Sequence, residues 1–293
     1  MTASKALVIL NPAAGGGRGR RVALSVRAAL EAVGINSEVV LTERPGHATE
    51  LARGAAADGR PLVVAAGGDG TASEIASGIV GTGTVLALYP LGSGNDFSRA
   101  LGYPRRVGLV PQFLADASER RIDVGEVNGR IFLNAAGVGI DGHVAERVEA
   151  SARVVGRRLG YLVGSLASIA RYRPQPMRVT IDGDVVEGKY LVVVASNGTH
   201  FGGGMHVAPR ALLTDALLEV TLAGDLGRAA SVVALARLYR GTHVNGTSII
   251  ARRAREIHIE LDRELPMEHD GEVGHAKELV LRVRPAALRV LGA

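Results

Sequence analysis

The sequence predicts a two-domain protein in which an α/β domain precedes a mainly antiparallel β domain with inserted helices. The first observation is that short apolar runs alternate with segments of helical periodicity in the first third of the chain, which is typical of a parallel sheet with helices on both faces. The second is that hairpin signals such as Asn128-Gly129 separate the apolar runs after about residue 120. The third is the length of 293 residues, which allows two domains of ordinary size.

Each element of the first third is predicted from its apolar pattern and its flanking turn residues. Buried parallel strands are apolar throughout, whereas helices place apolar residues three and four positions apart and often end at glycine. The predicted strands are residues 6–10, 37–41, 62–66 and 85–89. The predicted helices are residues 21–33, 47–57 and 72–79, and the last begins with a capping box, Thr71-Ala72-Ser73-Glu74.

The second part of the chain is predicted to consist of hairpins with two helical stretches, and the boundary is expected near residues 120–125. Asn128-Gly129 joins strands 122–127 and 130–135, and Asp182-Gly183-Asp184 joins strands 177–181 and 185–195. Further strands are predicted at residues 217–222, 256–261 and 279–283. The helical stretches cover residues 144–172 and 229–239.

Composition narrows the class of partner. A net charge of +5 and a pI near 9.9 favour anionic partners such as nucleotides or an acidic lipid surface, but the charge is too dispersed to indicate nucleic-acid binding. Aromatic residues make up only 3% of the chain. Cysteine is absent, and its absence excludes disulfides and thiolate chemistry. No apolar run approaches the roughly 18 residues of a membrane span, so a cytoplasmic protein is expected.

One glycine loop carries the strongest chemical signal. Gly67-Gly68-Asp69-Gly70-Thr71 lies between an apolar strand and a helix start. Glycines allow a ligand to approach the backbone closely, and the unpaired N–H groups of a helix start attract phosphate. Because a carboxylate beside phosphates is repulsive unless a cation or a sugar hydroxyl lies between them, the loop predicts a nucleotide triphosphate site that contains a metal. The alternative is a tight turn without a ligand.

Two more loops are predicted to reach the same edge of the sheet. Residues 11–15 follow the first strand and residues 91–97 follow the strand that ends at Tyr89, and ligands of open α/β sheets bind along the edge where parallel strands end. Neither a Walker A loop nor a dinucleotide fingerprint is present. In the second part, the turn His269-Asp270-Gly271-Glu272 carries two acids, which is typical of a solvated hairpin, but Glu272 could also serve as a general base.

Taken together, these motifs resemble the diacylglycerol kinase catalytic-domain family, in particular the soluble bacterial lipid kinases, which are related to sphingosine and ceramide kinases. The loop around Asp69 alone is shared with NAD kinases. The set, in family order over nearly the whole chain, is Asn11-Pro12 to Gly15, Gly67 to Thr71, Leu91 to Phe97, Asn134 to Asp141, Ala208-Pro209 to Asp215, and Asp270-Gly271-Glu272.

The resemblance implies a nucleotide domain of residues 1–122 with 286–293 and a β-sandwich lipid-substrate domain of residues 123–285. It implies ATP and Mg²⁺, with Glu272 as the base that deprotonates the lipid hydroxyl and Asp69 near the phosphates and the catalytic magnesium. Asp96 and Asp123 are weaker candidates for the same acidic cluster. The implied ATP-binding residues are Asn11, Pro12, Ala13, Ala14, Gly15, Thr42, Gly67, Gly68, Asp69, Gly70, Thr71 and Ser93. The implied structural magnesium site consists of Leu212, Asp215 and Leu217.

Three departures from the family pattern are visible in the sequence. Ser73 replaces an asparagine, and Ser93-Gly94 replaces a common Thr-Ala. Ala216 replaces the glycine that usually follows Asp215. If that position has a positive φ, alanine costs about 1 kcal/mol or more there, which puts the structural metal site in question.

The functional hypotheses are an ATP-dependent kinase of diacylglycerol or a related lipid alcohol, an NAD kinase, and a nucleotide-binding regulatory protein without turnover. A lipid kinase implies peripheral membrane contact, for which Arg153, Arg157 and Arg158 are candidates. A solvated helix face is the alternative reading of these arginines. The identity of the lipid and association into a homodimer stay open.

Overall fold

The computed structural model describes residues 5–17, 19–145, 164, 167–169 and 171–293. The chain forms two compact units. Unit 1 consists of Met1–Ile122 together with Ala286–Ala293, and unit 2 consists of Asp123–Pro285. The predicted helix at residues 144–172 and the arginines at 153, 157 and 158 lie largely or wholly outside the described residues.

Unit 1 contains a parallel sheet with the pairing order β2-β1-β3-β4-β14. All five residues of β1 are buried, as expected for a strand in a parallel sheet that is covered on both faces. The strands are β1 Ala6–Leu10, β2 Ser37–Leu41, β3 Leu62–Gly67, β4 Val85–Pro90 and the last part of β14 Glu272–Gly292. The four strands predicted for the first third are confirmed to within one residue.

The helices of unit 1 are α1 Ala14–Gly17, α2 Gly19–Glu31, α3 His47–Ala57, α4 Asp69–Ile79, α5 Asp96–Ala100 and α6 Val110–Asp116, with a 3₁₀ turn at Val107–Leu109. Helices α3 and α4 pack closely: a Cβ atom on Gly78 would lie 2.6 Å from the Thr49 carbonyl oxygen. The Thr49 hydroxyl donates a hydrogen bond to the Glu74 carbonyl oxygen at 2.8 Å.

The predicted capping box at Thr71 is wrong. Helix α4 begins at Asp69, and its N-cap is Gly68, which has no capping side chain. Glu74 accepts a hydrogen bond from the Ala48 N–H at 3.2 Å, and Thr71 accepts one from the Asn11 side chain at 3.3 Å. Both side chains therefore form tertiary hydrogen bonds instead of the local capping bonds that their spacing suggests.

Unit 2 is mainly antiparallel. Its strands are β5 Ser118–Val127, which begins in unit 1, β6 Arg130–Phe132, β7 Ala135–Gly139, β8 Gln175–Ile181, β9 Asp184–Tyr190, β10 Val192–Ser196, β11 Leu218–Ala223, β12 Ile249–Ala254, β13 Glu256–His269 and the first part of β14. The pairing order is β12-β11-β10-β7-β13-β14. Strand β13 pairs with β8 over residues 257–261 and with β7 over residues 267–269, and its pairing with β14 shifts register between Glu260 and Leu265. Helix α7 spans Gly227–Leu238.

The hairpin turns predicted in unit 2 at Asn-Gly and Asp-Gly pairs are confirmed. Asn128 and Gly129 have φ values of 47° and 81°, the mirror-image turn that fits the twist of two strands. Asp182-Gly183 and Asp270-Gly271 form turns of the same kind, with φ values of 47°, 94°, 47° and 93°. The single strand predicted at 185–195 is wrong, because the chain breaks at Leu191 into β9 and β10.

Candidate functional site

Four neighbouring strands of unit 1 end at one edge of the sheet, and the predicted nucleotide-binding residues follow them. Residues 11–15 follow β1, Thr42 follows β2, the Asp69 loop follows β3 and Ser93 follows β4. The backbone ties these turns together: the N–H of Asn11 donates to the Ala66 carbonyl oxygen at 3.0 Å, and that of Leu91 donates to the Gly67 carbonyl oxygen at 2.8 Å. The structure therefore brings the predicted loops to one edge.

Glycine is required where two of these loops meet. A Cβ atom on Gly92 would lie 2.5 Å from Gly68 Cα, and one on Gly67 would lie 2.4 Å from Thr71 Oγ1. Both distances are too short for real Cβ contacts, so a side chain at Gly92 would force the two loops apart and one at Gly67 would displace the Thr71 side chain. The two turns thus present main chain, including N–H groups, where other residues would present side chains.

Asp69 links two of the loops. Its Oδ1 atom accepts a hydrogen bond from the Phe97 N–H at 2.9 Å, which ties the start of α4 to the start of α5. Asp96 is buried and pairs with Arg99 Nη1 at 2.8 Å, and Arg99 also donates to the Gly94 carbonyl oxygen at 2.9 Å. The Arg99 guanidinium therefore neutralises the charge of Asp96. Asp69, in contrast, is the carboxylate that lies in the glycine loop itself.

The first loop is ordered by its asparagine. Asn11 Oδ1 accepts a hydrogen bond from the Ala13 N–H at 2.9 Å, and the Asn11 amide donates to Thr71. Gly15 and Gly16 then have φ values of 61° and 73°. Successive N–H groups in such a left-handed turn form a concave surface of the kind that binds anions.

In unit 2, Asp270 holds the turn that precedes Glu272. Its carboxylate accepts backbone hydrogen bonds from Leu133 at 2.6 Å and from Asn134 at 2.8 Å. The Gly271 N–H donates to Glu268. Because Asp270 is buried, these bonds are shielded from water and fix the position of the turn.

Glu272 itself is accessible. Its side chain is 57% exposed and lies 3.5 Å from His269 Nε2. Burial lowers the pKa of His269, which the neighbouring Asp270 only partly offsets, so His269 is neutral near pH 7. The contact is therefore not an ion pair, and Glu272 has a carboxylate oxygen available to accept a proton.

Asp215, the predicted side-chain metal ligand of unit 2, already has partners. Asp215 pairs with the Arg253 guanidinium, and its Oδ1 atom accepts a hydrogen bond from the Leu217 N–H at 3.1 Å. Ala216 has φ 58°, the positive value considered from the sequence, and its N–H donates to Asp123 Oδ2 at 2.7 Å. In the parts of the chain that the structure describes, there is no group of three or more His, Asp or Glu side chains arranged for a metal ion.

An apolar cavity in unit 2 was not foreseen from the sequence. Its volume is about 180 Å³, and helix α7 and strands β10 and β11 contribute to its lining. Representative lining residues are Ile140, Val144, Leu191, Met205, Leu235 and Leu238. These aliphatic residues look like ordinary core in a sequence, which is why composition gives no signal for the cavity.

Polar side chains also belong to this lining, namely Asp141, Thr221, Ser231 and His243. Asp141 Oδ2 and Thr221 Oγ1 are buried and have no hydrogen-bond partner within the described residues. Burial raises the pKa of Asp141 to about 7, although the Gly142 N–H partly offsets the effect. The cavity can therefore take an aliphatic chain while offering a polar group at one side.

The sequence comparisons agree with one another. Residues 5–127 match the diacylglycerol kinase catalytic domain, and residues 134–292 match the YegS C-terminal NAD kinase beta sandwich-like domain. A diacylglycerol kinase of Bacillus subtilis is 28% identical over 92% of this chain and 90% of its own length. A Pseudomonas aeruginosa protein named "Probable lipid kinase YegS-like" is 33% identical over 99% of this chain and 95% of its own length.

Solved structures share the fold. A chain from Bacillus anthracis str. Sterne superposes with a TM-score of 0.82 at 25% identity, covering 99% of this chain and 98% of that chain. A diacylglycerol kinase structure from the same organism has a TM-score of 0.78 at 24% identity, covering 100% and 98%. The predicted α/β and β-sandwich architecture is confirmed. Within the described residues, every helix is too short or too polar to cross a membrane.

Proposed function

Because this chain belongs to the diacylglycerol kinase family, we propose that it transfers the γ-phosphate of ATP to the hydroxyl of diacylglycerol or a related lipid alcohol. The observation that carries the proposal is the meeting of the loops after β1, β3 and β4 around glycines that exclude side chains. Phosphoryl transfer depends mainly on positioning and on the neutralisation of spreading negative charge. Backbone N–H groups at this edge suit that task.

The nucleotide is assigned to unit 1. The residues proposed to bind ATP follow the four neighbouring parallel strands and are Asn11 to Gly15, Thr42, Gly67 to Thr71 and Ser93. The Asn11 side chain orders its own turn and contacts Thr71, so two phosphate-facing loops hold each other in place. This support explains how the site can bind phosphates without the lysine of a Walker A loop.

Mg²⁺ would be held at Asp69. A single carboxylate beside a glycine loop fits this ion, which is usually bound by one or two carboxylates together with substrate phosphates and water. The Phe97 N–H fixes Asp69 Oδ1, so the carboxylate has a defined direction. When bound, the ion would neutralise charge on the phosphates.

The metal site proposed from Leu212, Asp215 and Leu217 does not fit a bound cation as the residues stand. Arg253 supplies the positive charge at Asp215, and a cation would have to displace it. The proposed reaction therefore uses no metal at this place.

Glu272 is proposed as the general base. It begins β14 directly after the turn that Asp270 fixes, and it is exposed to an incoming hydroxyl. A base needs only to reach the hydroxyl proton with a free carboxylate oxygen, and general bases contribute about 10² to 10⁴ in rate.

The acceptor is proposed to be a lipid because unit 2 contains a cavity suited to an aliphatic chain. Its lining is apolar and its volume is about 180 Å³, and apolar lining of this kind suits the burial of hydrocarbon. Each buried CH₂ group contributes about 0.8 kcal/mol, so the part of an acyl chain that enters the cavity would add to the affinity.

The test is incubation of the protein with labelled ATP, Mg²⁺ and a total lipid extract, followed by identification of the labelled product. We expect a phosphorylated lipid alcohol. A parallel reaction with NAD in place of lipid tests the NAD kinase alternative. Binding of ATP without a labelled product in either reaction would contradict turnover and favour the regulatory alternative.

A further inference from the structure

Helix α7 has two apolar faces, and among the residues that the structure describes only one of these faces packs inside unit 2. Ser231, Ala234, Leu235 and Leu238 line the cavity, and their spacing places them on one side of the helix. Ala229, Val232, Val233 and Ala236 have the same spacing and lie on the opposite side. All four are exposed, with exposures of 45% for Val232 and 50% for Val233.

The outer face is bordered by positive charge. Arg228 and Arg237 lie on the two edges of this face, and Arg240 follows the helix; all three are exposed. The sequence of α7 contains no acidic residue. An apolar face with basic borders is the pattern of helices that lie in the interface of a bilayer.

Further basic residues surround the beginning of the helix. Arg173, Lys189 and Arg228 line one surface depression beside Gly227. Asp225 is the acidic residue that lines it with them, and its carboxylate accepts a hydrogen bond from the Gly227 N–H at 3.2 Å. The depression thus has an excess of positive charge and complements an anionic headgroup layer.

We propose that the outer face of α7, namely Ala229, Val232, Val233 and Ala236 with Arg228 and Arg237, docks on the surface of an anionic lipid bilayer. The inner face of the same helix forms a wall of the cavity. A docked helix would therefore separate the membrane from the cavity by one helix thickness, about 10 Å. The inference that lipid passes from the membrane to the cavity depends on the proposed function. The inference that this face docks on a bilayer does not depend on it.

A second copy of the chain fits this face less well than a bilayer does. A helix of 12 residues is about 18 Å long, which gives far less area than the roughly 800 Å² that each partner buries in a stable complex. A two-fold arrangement would also bring arginines of one copy close to those of the other, because such an interface repeats the same patch.

The test is co-sedimentation of the full chain with vesicles, without ATP. Vesicles of phosphatidylcholine mixed with phosphatidylglycerol are compared with vesicles of phosphatidylcholine alone. We expect tighter binding to the mixed vesicles, weakened by salt. Val232→Asp/Val233→Asp should lower affinity by about tenfold or more, and Arg237→Glu by about fivefold for each unit of charge changed.

Matched variants control for general effects. Val185→Asp changes another exposed valine of unit 2, on β9 with 47% exposure, and Arg53→Glu reverses an exposed charge on α3. Both should bind vesicles as the unmodified protein does. Arg237→Glu leaves the apolar face intact, so it keeps the proposal testable if the double valine variant fails to fold.

Three results would overturn the proposal. They are unchanged vesicle binding by both α7 variants, equal binding of the unmodified protein to the two vesicle types, and a solution dimer that Val232→Asp/Val233→Asp dissociates. A water-soluble short-chain diacylglycerol separates docking from catalysis, because the valine variant should phosphorylate it normally. If the unmodified protein phosphorylates neither this compound nor vesicle lipid, the proposed function fails while the binding result stands.

Discussion

The carboxylate of Asp270 accepts a hydrogen bond from the backbone N–H of Leu133 at 2.6 Å, although 137 residues separate them in the sequence. The same carboxylate accepts the Asn134 N–H. The turn that presents Glu272 is therefore anchored to the segment just before β7. Any loss of this anchor should affect both the stability of unit 2 and the position of Glu272.

Asp270→Ala is expected to lower the free energy of unfolding by about 3 kcal/mol, because it leaves buried N–H groups without acceptors. Turnover should fall more than ATP affinity, since the change lies beside Glu272. Asp182→Ala is the matched control: Asp182 has the same φ of 47° and accepts the Arg255 and Glu256 N–H groups, but it is exposed. Urea unfolding and steady-state kinetics check both variants, and equal effects of the two would contradict the argument.

Glu272→Gln is expected to lower lipid phosphorylation by about 10² or more and to change stability by less than about 0.5 kcal/mol, because the side chain is exposed. Glu278→Gln serves as the control, since Glu278 is an exposed glutamate of the same strand that contacts His258. Initial rates and thermal unfolding are measured for both. Full activity of the Glu272 variant would reject its role as base.

Gly92→Ala is expected to weaken ATP binding and to destabilise unit 1 by about 1–3 kcal/mol, as overpacking does. The reason is that its Cβ would collide with Gly68 Cα. Gly54→Ala in α3 has open space around the new methyl group, and it should stabilise by about 0.5–1 kcal/mol. Calorimetry and ATP titration distinguish the two substitutions, and a Gly92 variant that binds ATP normally would show that the loops tolerate separation.

Ala216→Gly is expected to raise stability by about 1 kcal/mol, because alanine is strained at φ 58°. Ala28→Gly, in the exposed middle of α2, should lower it by a similar amount. Denaturant midpoints provide the measurement. No gain from Ala216→Gly would contradict the assignment of strain to Ala216, because the backbone N–H bond to Asp123 is present in both proteins.

Asp141 should make stability depend on pH. Its folded pKa of about 7 lies above the unfolded value of about 4, so the native state binds more protons between these values and stability falls as the pH rises through this window. The slope should approach 1.4 kcal/mol for each pH unit. Asp141→Asn should remove this slope, and parallel curves for the two proteins in urea unfolding at several pH values would contradict the assignment.

The strands of unit 1 could be predicted because buried parallel strands are short apolar runs, as in β1 and β3. The turns Asn128-Gly129 and Asp270-Gly271 could be predicted because a positive φ restricts the residue type. The cap at Thr71 could not, since Asn11 and Ala48 are tertiary partners of Thr71 and Glu74. Local spacing carries no information about such contacts.

The candidate site, like the fold, could be predicted from the sequence only in part. The loops around Asp69 and Gly92 were expected at one sheet edge, and the structure brings them together. The pairing of Asp215 with Arg253 was not visible, because the two residues are 38 positions apart. The cavity beside Asp141 was not visible either, since its aliphatic lining has the composition of any core.

Strand β14 has a consequence for biosynthesis. Its last residues pair with β4, where Arg289 lies opposite Val85, and Arg289 also binds Glu119 at 2.6 Å. Unit 1 thus combines a segment that is translated before unit 2 with a segment that is translated after it. While the ribosome is still translating unit 2, the sheet of unit 1 has an open edge at β4, and this edge must be shielded from aggregation until residues 286–293 emerge.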